Sequence, residues 1–137
     1  MATTKEGWGR FAGWVLATSL AVALIDTAIA ELVRLAHDAD LATELETLDL
    51  VANFALFGWA GYRVARAWRA FRPGLEAAVL AGLLVGLVAV AYTLVRALEP
   101  LTYSDLVQLL AWNVLYAALG GVVGAGLGWR ASSGPPR

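Results

Sequence analysis

Apolar residues run along this chain in four long stretches, each ended by a short charged or polar segment. The first extends from Phe11 to about Leu35 and the second from about Leu48 to Trp68. The third extends from Leu75 to Leu98 and the fourth from Asp105 to Trp129. Each holds about 20 residues or more, enough to cross a hydrocarbon core of about 30 Å as a helix. Within lipid only helices and closed barrels satisfy their own backbone. A barrel needs alternating segments of about ten residues, which this chain does not have. The pattern therefore predicts an all-α fold, an integral membrane bundle of four transmembrane helices. It forms a single domain over residues 11–130, with a short N-terminal segment (1–10) and a tail (131–137).

The punctuation between spans is legible. Pro73-Gly74 is expected to end the second helix and begin the third, and Pro100 breaks the chain after the third. Thr102 or Ser104 can cap the fourth helix, with Asp105 at the positive end of its dipole. Asp40, Leu41, Leu45 and Leu48 suggest that the second helix starts early, as an amphipathic turn. Val51–Leu56 and Ala111–Tyr116 align with Asn53 on Asn113, and Ala60-Gly61 with Gly120-Gly121, a faint repeat relating two hairpins.

Composition agrees with lipid as the solvent. The chain has 137 residues, 60% hydrophobic and 15% charged, where a soluble domain carries about 45–50% and about 25%. A net charge of −1 gives no bulk attraction for nucleic acid, and the absence of cysteine removes disulfides, thiol catalysis and thiolate metal sites. One histidine and no expected pair of intramembrane carboxylates leave no Ser-His-Asp set and no bis-histidine haem site. The expectation is a non-enzyme without metal or cofactor.

The charges also predict direction. Lys5 and Arg10 precede the first span. Asp38, Asp40, Glu44, Glu46 and Asp49 follow it; Asp38, Asp40, Glu44 and Glu46 with His37 read as a solvated acidic connection without calcium-loop spacing. Arg63, Arg66, Arg69 and Arg72 lie between spans two and three, Glu99 and Asp105 between three and four, and Arg130 and Arg137 at the end. This strict alternation places both termini in the cytoplasm, of a bacterial inner membrane. Trp8, Trp14, Trp68 and Trp129 fall near the same interface. A second reading takes Lys5, Arg10, the apolar run Phe11–Ile25 and Ala28-Ile29-Ala30 as a cleaved secretory signal; continuation of the run to Leu35 favours a retained helix.

Arg63, Arg66, Arg69 and Arg72 recur at every third position, and over about ten residues the segment resembles the arginine helix of voltage-sensor domains. It lies on the second helix, at its cytoplasmic end beside Pro73, where arginine anchors in anionic headgroups. Glu31 with Arg34, and Arg96 with Glu99, have the spacing of simple ion pairs along a helix.

Two sets of residues suggest function. Gly82 and Gly86 on the third span, and Gly120, Gly124 and Gly128 on the fourth, are small-residue ridges of the kind that bring membrane helices close. They are expected to meet within the third–fourth hairpin, with the fourth-span ridge equally suited to a partner. The other set is polar. Asp26 lies deep in the first span, while Asn53, Tyr92, Thr93 and Asn113 fall in the outer parts of the other three. Two readings follow. One is a non-catalytic subunit that works by helix packing in a homo-oligomer or larger membrane complex. The alternative is a small proton- or cation-coupled transporter or channel with an outward-facing polar site around Asp26.

Overall fold

A computed structural model describes residues 5–96 and 100–134. The chain is all-α, with helices α1 (Lys5–Leu35), α2 (Ala39–Trp68), α3 (Phe71–Arg96) and α4 (Tyr103–Ser132). By length and composition α1, α3 and α4 are suited to cross a membrane. Helix α2 is as long, at 30 residues, but Asp40, Glu44, Glu46 and Asp49 occupy its first part and Arg63 and Arg66 its last turns. Only Leu50–Tyr62 is free of charge, a stretch of about 20 Å. Helix α1 runs unbroken through Ala28-Ile29-Ala30.

Local chemistry sets the helix ends. Asp38 caps α2, its carboxylate accepting from the Asp40 backbone N–H at 3.0 Å. The acids expected in a solvated connection are therefore helical from Ala39 onward, carried by Leu41, Leu45 and Leu48 at helical spacing. Helix α2 ends at Arg69, whose φ of 51° and ψ of 34° are left-handed and whose N–H reaches the Ala65 carbonyl. The break thus precedes Pro73-Gly74, which instead lie in the first turn of α3. Proline is tolerated there because no helical acceptor exists yet for its missing N–H. Thr102 caps α4 in a capping box: it accepts from the Asp105 N–H at 3.3 Å, and the Asp105 carboxylate accepts from the Thr102 N–H at 2.9 Å. Thr102→Ala is expected to cost about 1 kcal/mol, read as a lowered midpoint of thermal unfolding in detergent; an unchanged midpoint would show that the box adds nothing.

The helices form a closed four-sided ring in the order α1, α2, α4, α3. Helices α2 and α3 each touch every other helix, while α1 and α4 face each other across the ring without contact. One end, carrying the α2–α3 turn, is drawn tight by small residues. Gly74 sits against the Gly61 carbonyl and Ala65. Gly120, Gly124 and Gly128 lie on the α2 backbone at Phe54, Gly58 and Tyr62. This corrects the expected meeting of the two ridges: Gly82 and Gly86 do face α4, at Ala117, Asn113 and Leu110, but the α4 ridge turns to α2. One step round the helix, Gly121 faces α3 at Ala78, and it also meets Gly61 of α2. The positions matched in the faint repeat, Gly61 and Gly121, are thus in contact.

The middle of the ring is filled by Val22, Phe57, Val64 and Val85, all fully buried. Ser19 ties α1 to this layer, its hydroxyl donating to the Val15 carbonyl at 2.7 Å with the Ala81 carbonyl of α3 at 3.4 Å. Trp8, Phe11 and Trp68 stack edge to face at the tight end, with centroids 5.7–6.3 Å apart. The outer faces are apolar and exposed: Leu16, Leu20 and Leu24 on α1, Leu119, Val123 and Leu127 on α4. Such faces suit lipid rather than water.

Candidate functional site: a polar cavity at the open end of the bundle

Toward the α1–α2 and α3–α4 connections the ring is wider and encloses a half-open cavity of about 470 Å³. All four helices line it. Asp26 of α1, Asn53 of α2, Tyr92 and Thr93 of α3 and Asn113 of α4 all lie on its wall. The five polar residues singled out from the sequence therefore share one space. Val85 lines it from the buried core layer that also holds Val22 and Phe57, and α4 crosses α2 at Gly58 through Gly120 and Gly124.

The chemistry concentrates where α1 faces α2. Asn53 donates from Nδ2 to Asp26 Oδ1 at 2.8 Å. One turn earlier on α2, Asp49 brings its carboxyl within hydrogen-bonding reach of Asp26. From the sequence Asp49 falls between the first two spans and no paired intramembrane carboxylates are expected; in the structure Asp49 stands beside Asp26 on the cavity wall. A signal for it exists in the chain. Asp49 and Asn53 begin a stripe at four-residue spacing that continues into the buried Phe57, Gly61 and Ala65, so the core face of α2 extends upward into polar residues.

Two acceptors in this cluster have no partner: Asp49 Oδ1 and Asn53 Oδ1, each shut off from solvent, with Asn53 only 9% exposed. A buried acceptor left unsatisfied costs about 1–3 kcal/mol. The arrangement is therefore short of donors, with two acids and a carbonyl oxygen on the wall of one cavity. No basic side chain lines it among the described residues, and Glu46 adds a third acid at the rim.

The remaining candidates are positioned differently. Asn113 donates to the Leu109 carbonyl of its own helix at 3.0 Å. Thr93 lies on the wall. Tyr92 turns its hydroxyl away from Asp26, donating to Glu31 Oε1 at 2.6 Å. The same Glu31 oxygen accepts from Arg96 Nη2 at 2.7 Å, and Arg34 bonds the other oxygen at 2.9 Å. The expected Glu31–Arg34 pair is thus present, while Arg96 crosses to α1; Glu99 lies outside the described residues. With the arginines largely exposed, the net value of these ion pairs is small, about 0–1 kcal/mol, and their effect is to tie α1 to α3 at the rim. The α4 wall carries stacked Trp112 and Tyr116, centroids 5.6 Å apart at 21°.

At the opposite end the arginines engage aromatic rings. Arg63 lies over Trp14 at 5.0 Å and Trp59 at 5.7 Å, and Arg66 bonds the Tyr62 hydroxyl at 3.0 Å. Arg72 pairs with Glu76 at 2.6 Å, and Arg69 forms the turn. Among the described residues no three acidic, histidine or cysteine side chains gather into a metal-binding group. No known family, characterised protein or solved structure matches this chain.

Proposed function

We propose that this chain is a small non-enzymatic membrane protein that binds and conducts protons or small cations through the cavity at Asp26 and Asp49. The observation that carries the reading is the carboxyl pair itself, braced by Asn53 beside a polar cavity. An ionised carboxylate near the centre of a span costs about 2.5–3.5 kcal/mol, whereas an interhelical hydrogen bond returns about 0.6 kcal/mol. Two acids side by side, with two acceptors left over, are not explained by packing. They suit a site whose missing donor is delivered from outside.

In this reading all four helices span the bilayer. Helix α2 is the fourth span: its uncharged stretch packs against the other three helices while Val51, Phe54 and Trp59 face outward, and its first turns, with Asp40, Glu44 and Glu46, project beyond the hydrocarbon. The alternation of basic and acidic connections puts both termini in the cytoplasm of a bacterial inner membrane, so the cavity faces outward. Arg63, Arg66, Arg69 and Arg72 then lie at the cytoplasmic headgroups. The rival reading, a packing subunit of a homo-oligomer or larger membrane complex, draws less support. The glycine ridge that would have served a partner is occupied by α2.

The test is proton flux in liposomes containing the full chain, driven by an imposed pH difference and read with a trapped pH dye. Flux above empty vesicles is expected for the wild type, with Asp26→Asn and Asp49→Asn falling to the empty-vesicle rate. A folded Asp26→Asn protein with unchanged flux would return the chain to the packing reading.

A further inference from the structure

The same site also has a size, a lining and a shortage of donors, which together narrow what can occupy it. A volume of about 470 Å³ is far more than a proton or bare ion needs and lies within the range of small-molecule sites, about 300–1,000 Å³. The lining is also of two kinds. Asp26 on α1 and Asp49 on α2 are acidic, while α4 contributes the stacked Trp112–Tyr116 pair and Val88 and Leu109 add apolar wall. Acid and aromatic on one wall is the combination that receives an organic cation, by charge from the one and by ring and apolar contact from the other.

The unpartnered atoms discriminate further. Asp49 Oδ1 and Asn53 Oδ1 are acceptors without donors, and Asn53 is nine-tenths buried. One proton shared between Asp26 and Asp49 would leave the Asn53 oxygen unsatisfied. A primary ammonium carries three N–H donors on one centre, enough for Asp26, Asp49 and Asn53 together once a small side-chain turn opens the two enclosed oxygens to the cavity. A quaternary ammonium has the charge but no N–H. Among the described residues no three acidic, histidine or cysteine side chains gather to hold a divalent metal ion.

We propose that the cavity binds a primary organic ammonium, its N–H groups on Asp26, Asp49 and Asn53 and its apolar body against Trp112 and Tyr116. This rests on the cation reading of the site and names the class of cation.

The experiment compares two probes of equal ring and charge, benzylammonium and benzyltrimethylammonium. Each is titrated calorimetrically into the full chain in zwitterionic nanodiscs, with empty nanodiscs subtracted. Benzylammonium is expected to bind once per chain, at least roughly tenfold more tightly than its trimethylated analogue. Asp26→Asn should abolish this binding, and Trp112→Ala should weaken both probes alike. Equal or tighter binding of the trimethylated probe overturns the proposal, as does a benzylammonium signal no larger than that of empty nanodiscs. Sodium chloride heat that depends on Asp26, with none from benzylammonium, also overturns it and assigns the site to an alkali ion. The probe comparison on wild-type protein decides the matter even if a variant fails to fold. The two levels separate cleanly. No amine binding alongside Asp26-dependent proton flux removes this inference alone, whereas proton flux indifferent to Asp26→Asn removes the cation reading itself.

Discussion

Gly124→Ala is expected to destabilise this protein more than any other single methyl addition to α4. A Cβ at this position would run into the backbone carbonyl of Gly58, and backbone has no rotamer by which to give way. The helices would have to separate at the crossing, loosening Gly120 at Phe54 and Gly128 at Tyr62 on either side. Overpacking a tight interior costs about 1–3 kcal/mol, and the upper end applies where the obstacle is main chain. The matched control is Gly126→Ala, two residues away, where nothing lies within 4 Å and the helix-propensity gain is about 1 kcal/mol in favour of alanine. Thermal unfolding in detergent should therefore move in opposite directions for the two variants. If Gly124→Ala unfolds at the same temperature as Gly126→Ala, the α2–α4 crossing is not where the bundle is held.

Asp49→Asn should raise stability while abolishing flux. In the native chain two carboxyls face each other and two oxygens lack donors. Replacing one acid by an amide removes the like-charge contact and supplies an N–H₂ within reach of Asp26. A gain of about 1–2 kcal/mol is expected, the size of one relieved unsatisfied acceptor. The sign with pH follows from the chemistry. In acid the native pair is neutralised by protons, so the amide gains little; as pH rises the native pair accumulates negative charge and the advantage of the amide grows. Melting curves across pH should show the variant diverging upward from wild type at the alkaline end. A variant less stable than wild type at every pH would mean that the carboxyl pair is structural cement. A stabilised, inactive variant is the signature of a site kept for function at a cost to the fold.

Much of this architecture can be read from apolar run length, because lipid leaves a chain few options. The number of helices, the Thr102 cap and the early start of α2 at Ala39 all follow from patterns of a few residues. That Asp26, Asn53, Tyr92, Thr93 and Asn113 gather at one end of the bundle follows from depth, since an up-and-down bundle brings residues of equal depth to one level. What depth does not supply is azimuth, the direction a residue faces around its helix. The α4 ridge could face either neighbour, and the choice of α2 rests on Gly58 and Gly61 presenting bare backbone to it. Tyr92 sits at the right depth, yet its hydroxyl goes to Glu31. Asp49 is obscured by its neighbours: after Asp40, Glu44 and Glu46 it reads as one more acid between two spans until its four-residue spacing to Asn53 and Phe57 is followed. The αL turn at Arg69 has no glycine to mark it, so the adjacent Pro73-Gly74 draws the expected boundary too late.

The ring's seams differ in stiffness. Along the α2–α4 side, main chain rests on main chain, a joint with no side-chain degrees of freedom and therefore almost no give. Along both sides of α1 the joints are side-chain affairs: the Ser19 hydroxyl, the Asn53 amide, the Glu31 cluster at the rim and the aromatic stack of Trp8, Phe11 and Trp68. Each can lengthen, swing or exchange partners within a rotamer change. Mechanically, α2, α3 and α4 form a frame and α1 a lever laid against it, carrying Asp26 on the lever and Asp49 on the frame. Tilting of α1 is then the least costly way to part the Val22–Phe57–Val85 layer, and the same tilt changes the spacing of the two carboxyls.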